Sequence, residues 1–272
     1  MHKHVLVTGA TGALGSKIAF DLASSGFDLA LCSRDKLSLK GMGDEITSKF
    51  DVQVELGDFS ISDEDSLGAF TKQASRNHGR FTGGVHTAGT LGPISRLSSV
   101  PSRDWIDSIQ TNLIGSFVFL KTMVSHLEGG QGSLVVLSGG GATSPMPGLS
   151  SYAASKAAVV RLVETVAQEL EGTGVRLNAV APGIMKSKMT RTMIETGSDS
   201  MDPDQLRKIR VVIDSKEDSS QKAVSLIRFL LETKINGLNG KLVSAQWDEW
   251  QSWSAEVNPF SDPNILTLRR TI

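Results

Sequence analysis

The stretch Val5-Leu-Val-Thr-Gly-Ala-Thr-Gly-Ala-Leu-Gly15 runs from a short apolar segment into glycines at positions 9, 12 and 15. The apolar segment predicts a buried strand, and the residues from about Leu14 onward predict a helix. Glycine tolerates positive φ and lets a ligand approach the backbone closely. Because the N–H groups at a helix start suit a pyrophosphate, the stretch predicts a dinucleotide-binding turn, with a ligand-free tight turn as the alternative.

Strand and helix patterns alternate outward from this turn. Buried strands are predicted at residues 5–8, 29–32, 52–56, 85–87, 133–137, 175–180 and 241–243, where apolar and β-branched side chains run together. The longer segments between them carry apolar residues three and four apart, which is typical of amphipathic helices. This alternation predicts an α/β fold of the Rossmann-like, doubly wound type, with a parallel sheet and helices on both faces.

No linker or internal repeat divides the 272 residues, so we expect a single NAD(P)-binding domain over residues 1–272. Residues 184–220 have little periodicity and lie between two predicted strands, which favours a substrate lid over a solvated surface excursion. Residues 245–272 form an aromatic tail in which Trp247, Trp250 and Trp253 recur at every third position. Packing of this tail on the core or on a sister subunit is favoured over a substrate wall.

The composition excludes several classes of partner. Lys and Arg number 28 against 29 Asp and Glu, which leaves a net charge of −1 and argues against nucleic acid. The single cysteine, Cys32, forbids an internal disulfide and favours a cytoplasmic location. No apolar run approaches the roughly 18 residues of a membrane span, and no cluster of residues has metal-ligand spacing, so neither a membrane nor a metal is expected.

The end of the second predicted strand reads Cys32-Ser33-Arg34-Asp35. A carboxylate here would accept hydrogen bonds from the ribose of NAD, whereas an arginine would pair with the 2′-phosphate of NADP. Ser33 stands where the acid is expected and Arg34 follows it, which favours NADP(H) over NAD(H). Asp35 is a competing partner for Arg34, and an exposed arginine without a ligand is the alternative.

Tyr152 and Lys156 are four residues apart in a helix predicted from about residue 151 to 170. This spacing places both side chains on one helix face. A lysine ammonium near a phenol favours the ionised phenol, so we expect the pKa of Tyr152 to lie below its usual value near 10. Such a phenol exchanges a proton with an alcohol or carbonyl oxygen near neutral pH.

These residues resemble the short-chain dehydrogenases/reductases in their classical form. The resemblance covers about residues 5–243 and rests on Thr8-Gly9, Asp58, Ala88-Gly89, Asn112, Tyr152 with Lys156, and Pro182-Gly183. It implies a seven-stranded parallel sheet and hydride transfer between a nicotinamide and the carbonyl or alcohol carbon of a small molecule. It also implies a homodimer or homotetramer.

The resemblance further implies a role for each matching position. Tyr152 would be the general acid/base, Lys156 would bind the nicotinamide ribose, and Asn112 would hold a water molecule linked to Lys156. Asp58 would meet the adenine amine, and Ser187 stands where a threonine commonly contacts the nicotinamide amide. The implied cofactor contacts are Gly9, Thr11, Gly12, Leu14, Gly15, Ser33, Arg34, Asp58, Phe59, Ala88, Gly89, Asn112, Tyr152, Lys156, Pro182, Gly183, Ile184 and Ser187.

Two departures from the family pattern bear on chemistry. Gly139 occupies the place of the catalytic serine, thirteen residues before Tyr152, and Ser138 lies one residue early. We take Ser138 as the candidate catalytic hydroxyl, with Thr143, Ser144 or a donor of the substrate as alternatives. The usual Asn-Asn-Ala-Gly stretch reads His86-Thr87-Ala88-Gly89. A lone histidine at a strand end is more often structural than a metal ligand or proton relay.

The sequence thus predicts an NADP(H)-dependent oxidoreductase acting on a carbonyl or alcohol carbon. An epimerase or dehydratase of the extended branch is one alternative, favoured by the extra Gly12. A non-catalytic NADP-binding protein is the other, favoured by Gly139 at the serine position.

Overall fold

A computed structural model describes residues 3–197 and 199–270 of the chain. Its centre is a seven-stranded sheet in the order β3-β2-β1-β4-β5-β6-β7, and each pairing between neighbours is parallel. The strands are β1 (His4–Thr8), β2 (Asp28–Cys32), β3 (Val54–Gly57), β4 (Gly83–His86), β5 (Gly132–Leu137), β6 (Val175–Ala181) and β7 (Leu242–Ser244). The predicted strands are confirmed, with ends shifted by one or two residues.

The helices follow the strands in turn. They are α1 (Gly15–Ser24), α2 (Lys36–Lys49), α3 (Glu64–His78), α4 (Ser102–Ile109), α5 (Gly115–Leu127), α6 (Ser150–Glu169), α7 (Lys188–Thr196), α8 (Pro203–Asp214) and α9 (Gln221–Glu232). A π-helical turn, Gln110–Ile114, joins α4 to α5. Helices α4 and α5, together with this turn, form the crossover from β4 to β5.

Alternating strand residues divide the core into two layers. Val5 and Val7 pack with apolar residues of α1, α2 and α9 on one face of the sheet. Leu6 lies between them in sequence and packs on the opposite face with residues of α3, α5 and α6. Because neighbouring strand residues point to opposite faces, this two-sided burial produces the doubly wound architecture that the sequence predicts.

The strand order reverses direction between β1 and β4. The chain leaves β1 toward β2 and β3 on one side, and continues from β4 toward β5, β6 and β7 on the other. Loops that follow these two central strands diverge and leave a crevice at their carboxyl ends, where open α/β sheets bind ligands. Gly9 follows β1 and Ala88 follows β4 within a few residues, so both lie at this crevice.

Residues 184–220 are more regular than their weak periodicity suggests. They contain α7 and α8, and each helix begins at a capping side chain, Ser187 for α7 and Asp202 for α8. The helices bury Met193, Leu206 and Ile209 against one another and against residues near the crevice. The absence of a clear apolar stripe in the sequence reflects short helices that bury few side chains.

The aromatic tail packs on the rest of the chain. Trp250 is buried in the layer that contains α9, and the Trp253 ring meets Phe260 edge-on at 5.0 Å between centroids. Trp247 is 87% exposed. The tail that follows β7 returns along the edge of the sheet, where the Leu242 N–H of β7 donates to the Leu266 carbonyl. No helix in the described part of the chain is both long and apolar enough to span a membrane.

Candidate active site

The glycine turn after β1 brings helix α1 into direct contact with the strand end. Gly9 adopts φ +67°, and a Cβ there would lie 2.6 Å from the Ala88 nitrogen. A Cβ on Gly15 would lie 2.2 Å from the Gly9 carbonyl oxygen. Since these distances are too short for carbon, only glycine permits this packing of helix against strand. The N-terminal end of α1 consequently lies at the crevice, where a helix start suits a pyrophosphate.

A cleft opens at this point of the sheet. It is lined by residues that follow β1, β2, β3 and β4, together with one from the π-helical turn: Gly9, Thr11, Gly12, Cys32, Ser33, Arg34, Phe59, Ser60, Ile61, Thr87, Ala88, Gly89 and Thr111. Eight of the predicted cofactor contacts are among them. Leu14 and Gly15 are buried beneath the turn. The sequence did not predict the other five lining residues, because their types carry no distinctive chemistry and only the fold brings them to the cleft. They are Cys32, Ser60, Ile61, Thr87 and Thr111.

The residues that follow β2 have different structural roles. The Ser33 and Thr11 hydroxyls share a hydrogen bond of 2.5 Å at the cleft wall. Asp35 caps α2, accepting from the Ser38 N–H at 3.0 Å and from the Ser38 hydroxyl at 2.7 Å. Arg34 is exposed, and none of the ion pairs in the described part of the chain involves it. The competing Asp35–Arg34 pair is therefore absent, since the carboxylate is held by the helix cap.

Asp58 does not line the cleft. Its carboxylate forms an exposed ion pair with Lys36, with 3.2 Å between Lys36 Nζ and Asp58 Oδ2. Phe59, the next residue, faces the cleft instead. The expected contact between Asp58 and an adenine amine thus has no support in this geometry, because the side chain turns toward the first residue of α2.

His86 and Thr87 anchor β4 to β1 without the two asparagines of the family pattern. The Thr87 hydroxyl donates to the Thr8 carbonyl at 2.7 Å, and the Thr8 hydroxyl lies 2.8 Å from His86 Nδ1. Burial, together with the nearby Lys156 charge, lowers the pKa of His86 to about 3. His86 is therefore neutral at ordinary pH, and its contacts are those of a structural residue.

Tyr152 and Lys156 project from the first turns of α6 toward the end of β5. The Lys156 Nζ donates to the Leu137 carbonyl at 2.8 Å and lies 5.7 Å from the centre of the Tyr152 ring. Burial raises the pKa of the Tyr152 phenol to about 12 and lowers the pKa of the Lys156 ammonium to about 8. The expectation of a depressed phenol pKa is wrong for this arrangement, because loss of hydration outweighs attraction to an ammonium that faces a backbone carbonyl.

Asn112 lies in the π-helical turn, where the extra residue directs its side chain inward. Its Oδ1 accepts from the Thr90 N–H at 2.8 Å. Its Nδ2 donates to the Thr90 carbonyl at 2.9 Å and to the Ser155 hydroxyl at 3.1 Å. Asn112 therefore fixes the loop after β4 against α6, and its side-chain amide is fully engaged by protein groups.

Gly139 occupies the position that faces the phenol. A Cβ on Gly139 would lie 3.2 Å from the Tyr152 hydroxyl oxygen. The Ser138 hydroxyl instead donates to the Lys156 carbonyl at 3.0 Å, and Ser138 is buried. Ser138 as the catalytic hydroxyl is contradicted by this geometry, because adjacent residues at the strand end point in opposite directions.

The turn after β6 borders the same region. Gly183 adopts φ +86°, and a Cβ there would lie 2.6 Å from the Gln246 Cγ. The Gln246 Nε2 donates to the Pro182 carbonyl at 3.3 Å and so ties the tail to this turn. Gln246 carries no sequence signal for such a role. The Ser187 hydroxyl, which the resemblance predicts to contact a nicotinamide amide, caps α7 and accepts from the Thr190 N–H at 3.2 Å.

An apolar cluster adjoins the phenol. Its buried members come from the loop after β4, the residue before α6, and the α7–α8 segment: Leu91, Leu149, Met193, Met201, Leu206 and Ile209. Tyr152, Met146 and Ile184 pack against it and are partly exposed. The side of the site next to the phenol is therefore apolar, whereas the cleft at the glycine turn is lined by polar and apolar residues alike.

Comparisons with known proteins agree with this arrangement. Residues 3–197 match the family model described as short chain dehydrogenase. The chain is 31% identical to the 3-oxoacyl-(acyl-carrier-protein) reductase FabG of Staphylococcus aureus over 74% of this chain and 82% of that protein. It is similar to the crystal structure of levodione reductase, with a TM-score of 0.78, 26% identity, and coverage of 89% of this chain and 95% of that one. It is also similar to NAD+-bound xylitol dehydrogenase, with a TM-score of 0.79, 25% identity, and coverage of 89% and 96%.

Proposed function

The chain belongs to the short-chain dehydrogenase family and is an oxidoreductase acting on CH–OH or C=O groups; from this premise we propose that it is an NADP(H)-dependent reductase or dehydrogenase of a small-molecule carbonyl or alcohol. The observation that carries the proposal is the position of the Tyr152 hydroxyl against Gly139, with Lys156 one helical turn further along the same face. Similarity to FabG, a reductase by name, supports reduction as a direction of the reaction.

The cofactor fits the described residues. The glycine turn and the start of α1 would hold the pyrophosphate, and Thr11, Ser33 and Phe59 would flank the adenosine end. The turn at Pro182 and Gly183 would border the nicotinamide end. A reduced nicotinamide bound there supplies a hydride for the carbonyl carbon.

Tyr152 and Lys156 carry out the proton transfer to the substrate oxygen. Tyr152 donates its phenol proton to the carbonyl oxygen as negative charge develops on it. The Lys156 ammonium stabilises the resulting phenolate, and it is held near the phenol by the Leu137 carbonyl. The raised pKa of Tyr152 matches a group that remains protonated until the substrate oxygen needs the proton.

The preference for NADP(H) rests on Arg34. Arg34 lines the cleft beside Ser33, and the Asp35 carboxylate is engaged in the cap of α2. With no carboxylate at position 33 to accept hydrogen bonds from a ribose, a 2′-phosphate finds a bidentate partner in Arg34. The NAD+ bound by xylitol dehydrogenase shows that the fold does not by itself impose NADP(H).

The remaining features complete the proposal. We propose a single cofactor-binding domain and a substrate lid within residues 184–220, and the helices α7 and α8 support the lid. A homodimer or homotetramer is supported by Ile106 on α4 and Phe117 on α5, which are 59% and 45% exposed. A cytoplasmic location is supported by the single cysteine, Cys32, which cannot form an internal disulfide.

Replacement of the phenol tests the proposed function. Tyr152→Phe keeps the ring that packs on the apolar cluster and removes only the proton donor. We expect kcat/KM for a reduced ketone to fall at least about 100-fold, while the NADPH dissociation constant stays within roughly threefold. Turnover is followed by nicotinamide absorbance together with alcohol formation. Equal rates for the variant and the wild type would overturn the role of Tyr152, and tight NADPH binding without any turnover would favour a non-catalytic protein.

A further inference from the structure

We propose that Gly139 determines substrate specificity and that the site takes ketones with a hydroxyl on the carbon next to the carbonyl. This proposal rests on the carbonyl reduction proposed above. The substrate hydroxyl supplies a second hydrogen bond to the reacting oxygen, in place of the serine hydroxyl that position 139 lacks. The inference follows from the donors around Tyr152, from the space at Gly139 and from the apolar surface beside both.

Three side-chain hydroxyls near Gly139 donate to backbone carbonyls and not to the space beside the phenol. The Ser138 hydroxyl is directed to the Lys156 carbonyl, and the Ser155 hydroxyl donates to the Tyr152 carbonyl at 2.8 Å. Thr143 is exposed, and its hydroxyl contacts the Gly140 carbonyl at 3.4 Å. Among the hydroxyls of Ser138, Thr143, Tyr152 and Ser155, the Tyr152 phenol is the one that meets the Gly139 space.

The backbone does not require glycine at position 139. Its φ of 171° is extended, a conformation open to any residue. Apart from its chain neighbours, the atom that a Cβ on Gly139 would meet within 4 Å is the Tyr152 hydroxyl oxygen, at 3.2 Å. A Cβ on Gly140 would meet nothing within 4 Å. The missing side chain thus leaves room beside the phenol for a small group of the substrate.

A hydroxyl suits this room better than an apolar group. Charge develops on the carbonyl oxygen during hydride transfer, and a preorganised donor to that oxygen typically contributes about 100- to 1000-fold in kcat. A hydroxyl on the adjacent carbon can reach the same oxygen within the substrate. The rest of the substrate meets Met146, Ile184 and the apolar cluster, so an aromatic or branched aliphatic body fits there.

The reaction balances with the reduced nicotinamide as reductant. Hydride forms a new C–H bond at the carbonyl carbon, and the electron pair of the C=O bond moves to oxygen. That oxygen takes the Tyr152 proton, while the hydroxyl of the substrate only donates a hydrogen bond. The hydroxyketone is reduced to a vicinal diol, and the nicotinamide is oxidised.

Three ketones of similar size test the inference on the wild-type protein. They are 2-hydroxyacetophenone, its methyl ether 2-methoxyacetophenone, and propiophenone, each reduced with NADPH. The ether keeps the electron-withdrawing oxygen but lacks the donor, so it separates hydrogen bonding from electrophilicity. We expect kcat/KM for the hydroxyketone to exceed that for the ether and for propiophenone by at least about tenfold. Equal values for the hydroxyketone and its ether would overturn the inference.

Two variants at position 139 test the same point from the protein side. Gly139→Ser restores a hydroxyl beside the phenol, so the preference for the hydroxyketone over propiophenone is expected to fall at least about tenfold, mainly through faster reduction of propiophenone. Gly139→Ala fills the space without a donor. It is expected to slow the hydroxyketone without accelerating propiophenone. An unchanged preference in Gly139→Ser would contradict the inference.

The outcomes separate the two proposals. If the wild type reduces all three ketones equally and Tyr152→Phe abolishes these reactions, carbonyl reduction stands and the role of Gly139 is wrong. If none of the three is reduced while other ketones are, the inference about adjacent hydroxyls is again wrong. If no ketone is reduced while NADPH binds, the proposed function and the inference fail together.

Discussion

At the scale of single residues, the site depends on which polar groups are already engaged by the protein. Asp35 is held by a helix cap, Ser138 by a backbone carbonyl, and Asn112 by the loop after β4. Arg34 and the Tyr152 hydroxyl face the cleft and the space at Gly139 instead. These two groups are therefore the ones whose replacement is expected to change ligand binding and turnover most directly.

Arg34→Gln tests the cofactor preference. The amide keeps a polar side chain of similar reach but loses the charge that pairs with a 2′-phosphate. We expect the NADPH dissociation constant to rise about tenfold or more, and the NADH dissociation constant to change less than about twofold. Fluorescence titration with both nucleotides measures the effect. Arg103→Gln, on the exposed side of α4, is the matched control and leaves both constants unchanged. Equal weakening of NADH and NADPH by Arg34→Gln would argue against a 2′-phosphate contact.

His86 is expected to make the folded protein sensitive to acid. Its pKa is about 3 in the folded state and near 6.5 in an unfolded chain, so the unfolded chain binds the proton more readily between these values. The stabilising contribution of neutral His86 is complete above pH 6.5 and is lost as pH falls toward 3, at up to roughly 1.4 kcal/mol per pH unit.

The variant His86→Asn isolates this contribution. Asparagine does not titrate, so the free energy of unfolding, measured by urea denaturation, should depend less steeply on pH between about 4 and 6 than in the wild type. His126, whose pKa burial also lowers, is present in both proteins and cancels in the difference. Parallel pH profiles for the two proteins would show that His86 is not buried in its neutral form.

At the scale of elements, the junction of β1, the glycine turn and α1 fixes the cleft. The Gly15 Cα lies so near the Gly9 carbonyl that no side chain fits between them. Periodicity and glycine spacing were sufficient to predict this junction, since both follow from backbone geometry. The π-helical turn was not predicted, because it depends on contacts with residues distant in sequence, such as Asn112 with Thr90.

Gly15→Ala tests this junction, with Gly41→Ala as its control. An alanine methyl at position 15 must displace α1 from the strand end, so we expect the free energy of unfolding to fall by about 1–3 kcal/mol and NADPH binding to weaken. Gly41 lies in α2 with open space around its Cα, and alanine there should stabilise the protein by about 0.5–1 kcal/mol. Urea denaturation measures both. Similar gains in stability for the two variants would contradict the close packing of α1.

At the scale of the whole molecule, one sheet collects residues from distant parts of the chain at its carboxyl edge. The sequence predicted a doubly wound parallel sheet, because alternating strands and helices with right-handed connections leave few arrangements. It did not predict that Gln246 in the tail holds the turn at Pro182, or that the α7–α8 segment forms an apolar wall beside Tyr152. Such contacts arise from tertiary packing and leave no local pattern.

Burial also reversed an electrostatic expectation. The spacing of Tyr152 and Lys156 predicted a depressed phenol pKa, whereas the folded chain raises that pKa to about 12 and lowers the pKa of Lys156 to about 8. Spacing determines which side chains share a helix face, but it does not determine how much water remains around them. Desolvation of both groups is a property of the complete fold.

The central claim is that a nicotinamide ring and the Tyr152 hydroxyl face the same substrate carbonyl beside Gly139. A crystal structure of the protein with NADPH measures this directly. We expect the pyrophosphate at the turn of Gly9 to Gly15 and the 2′-phosphate at Arg34. The nicotinamide ring is expected next to Pro182, with its reactive carbon facing the Tyr152 hydroxyl. A nicotinamide ring turned away from Tyr152, or NADPH bound elsewhere on the molecule, would contradict it.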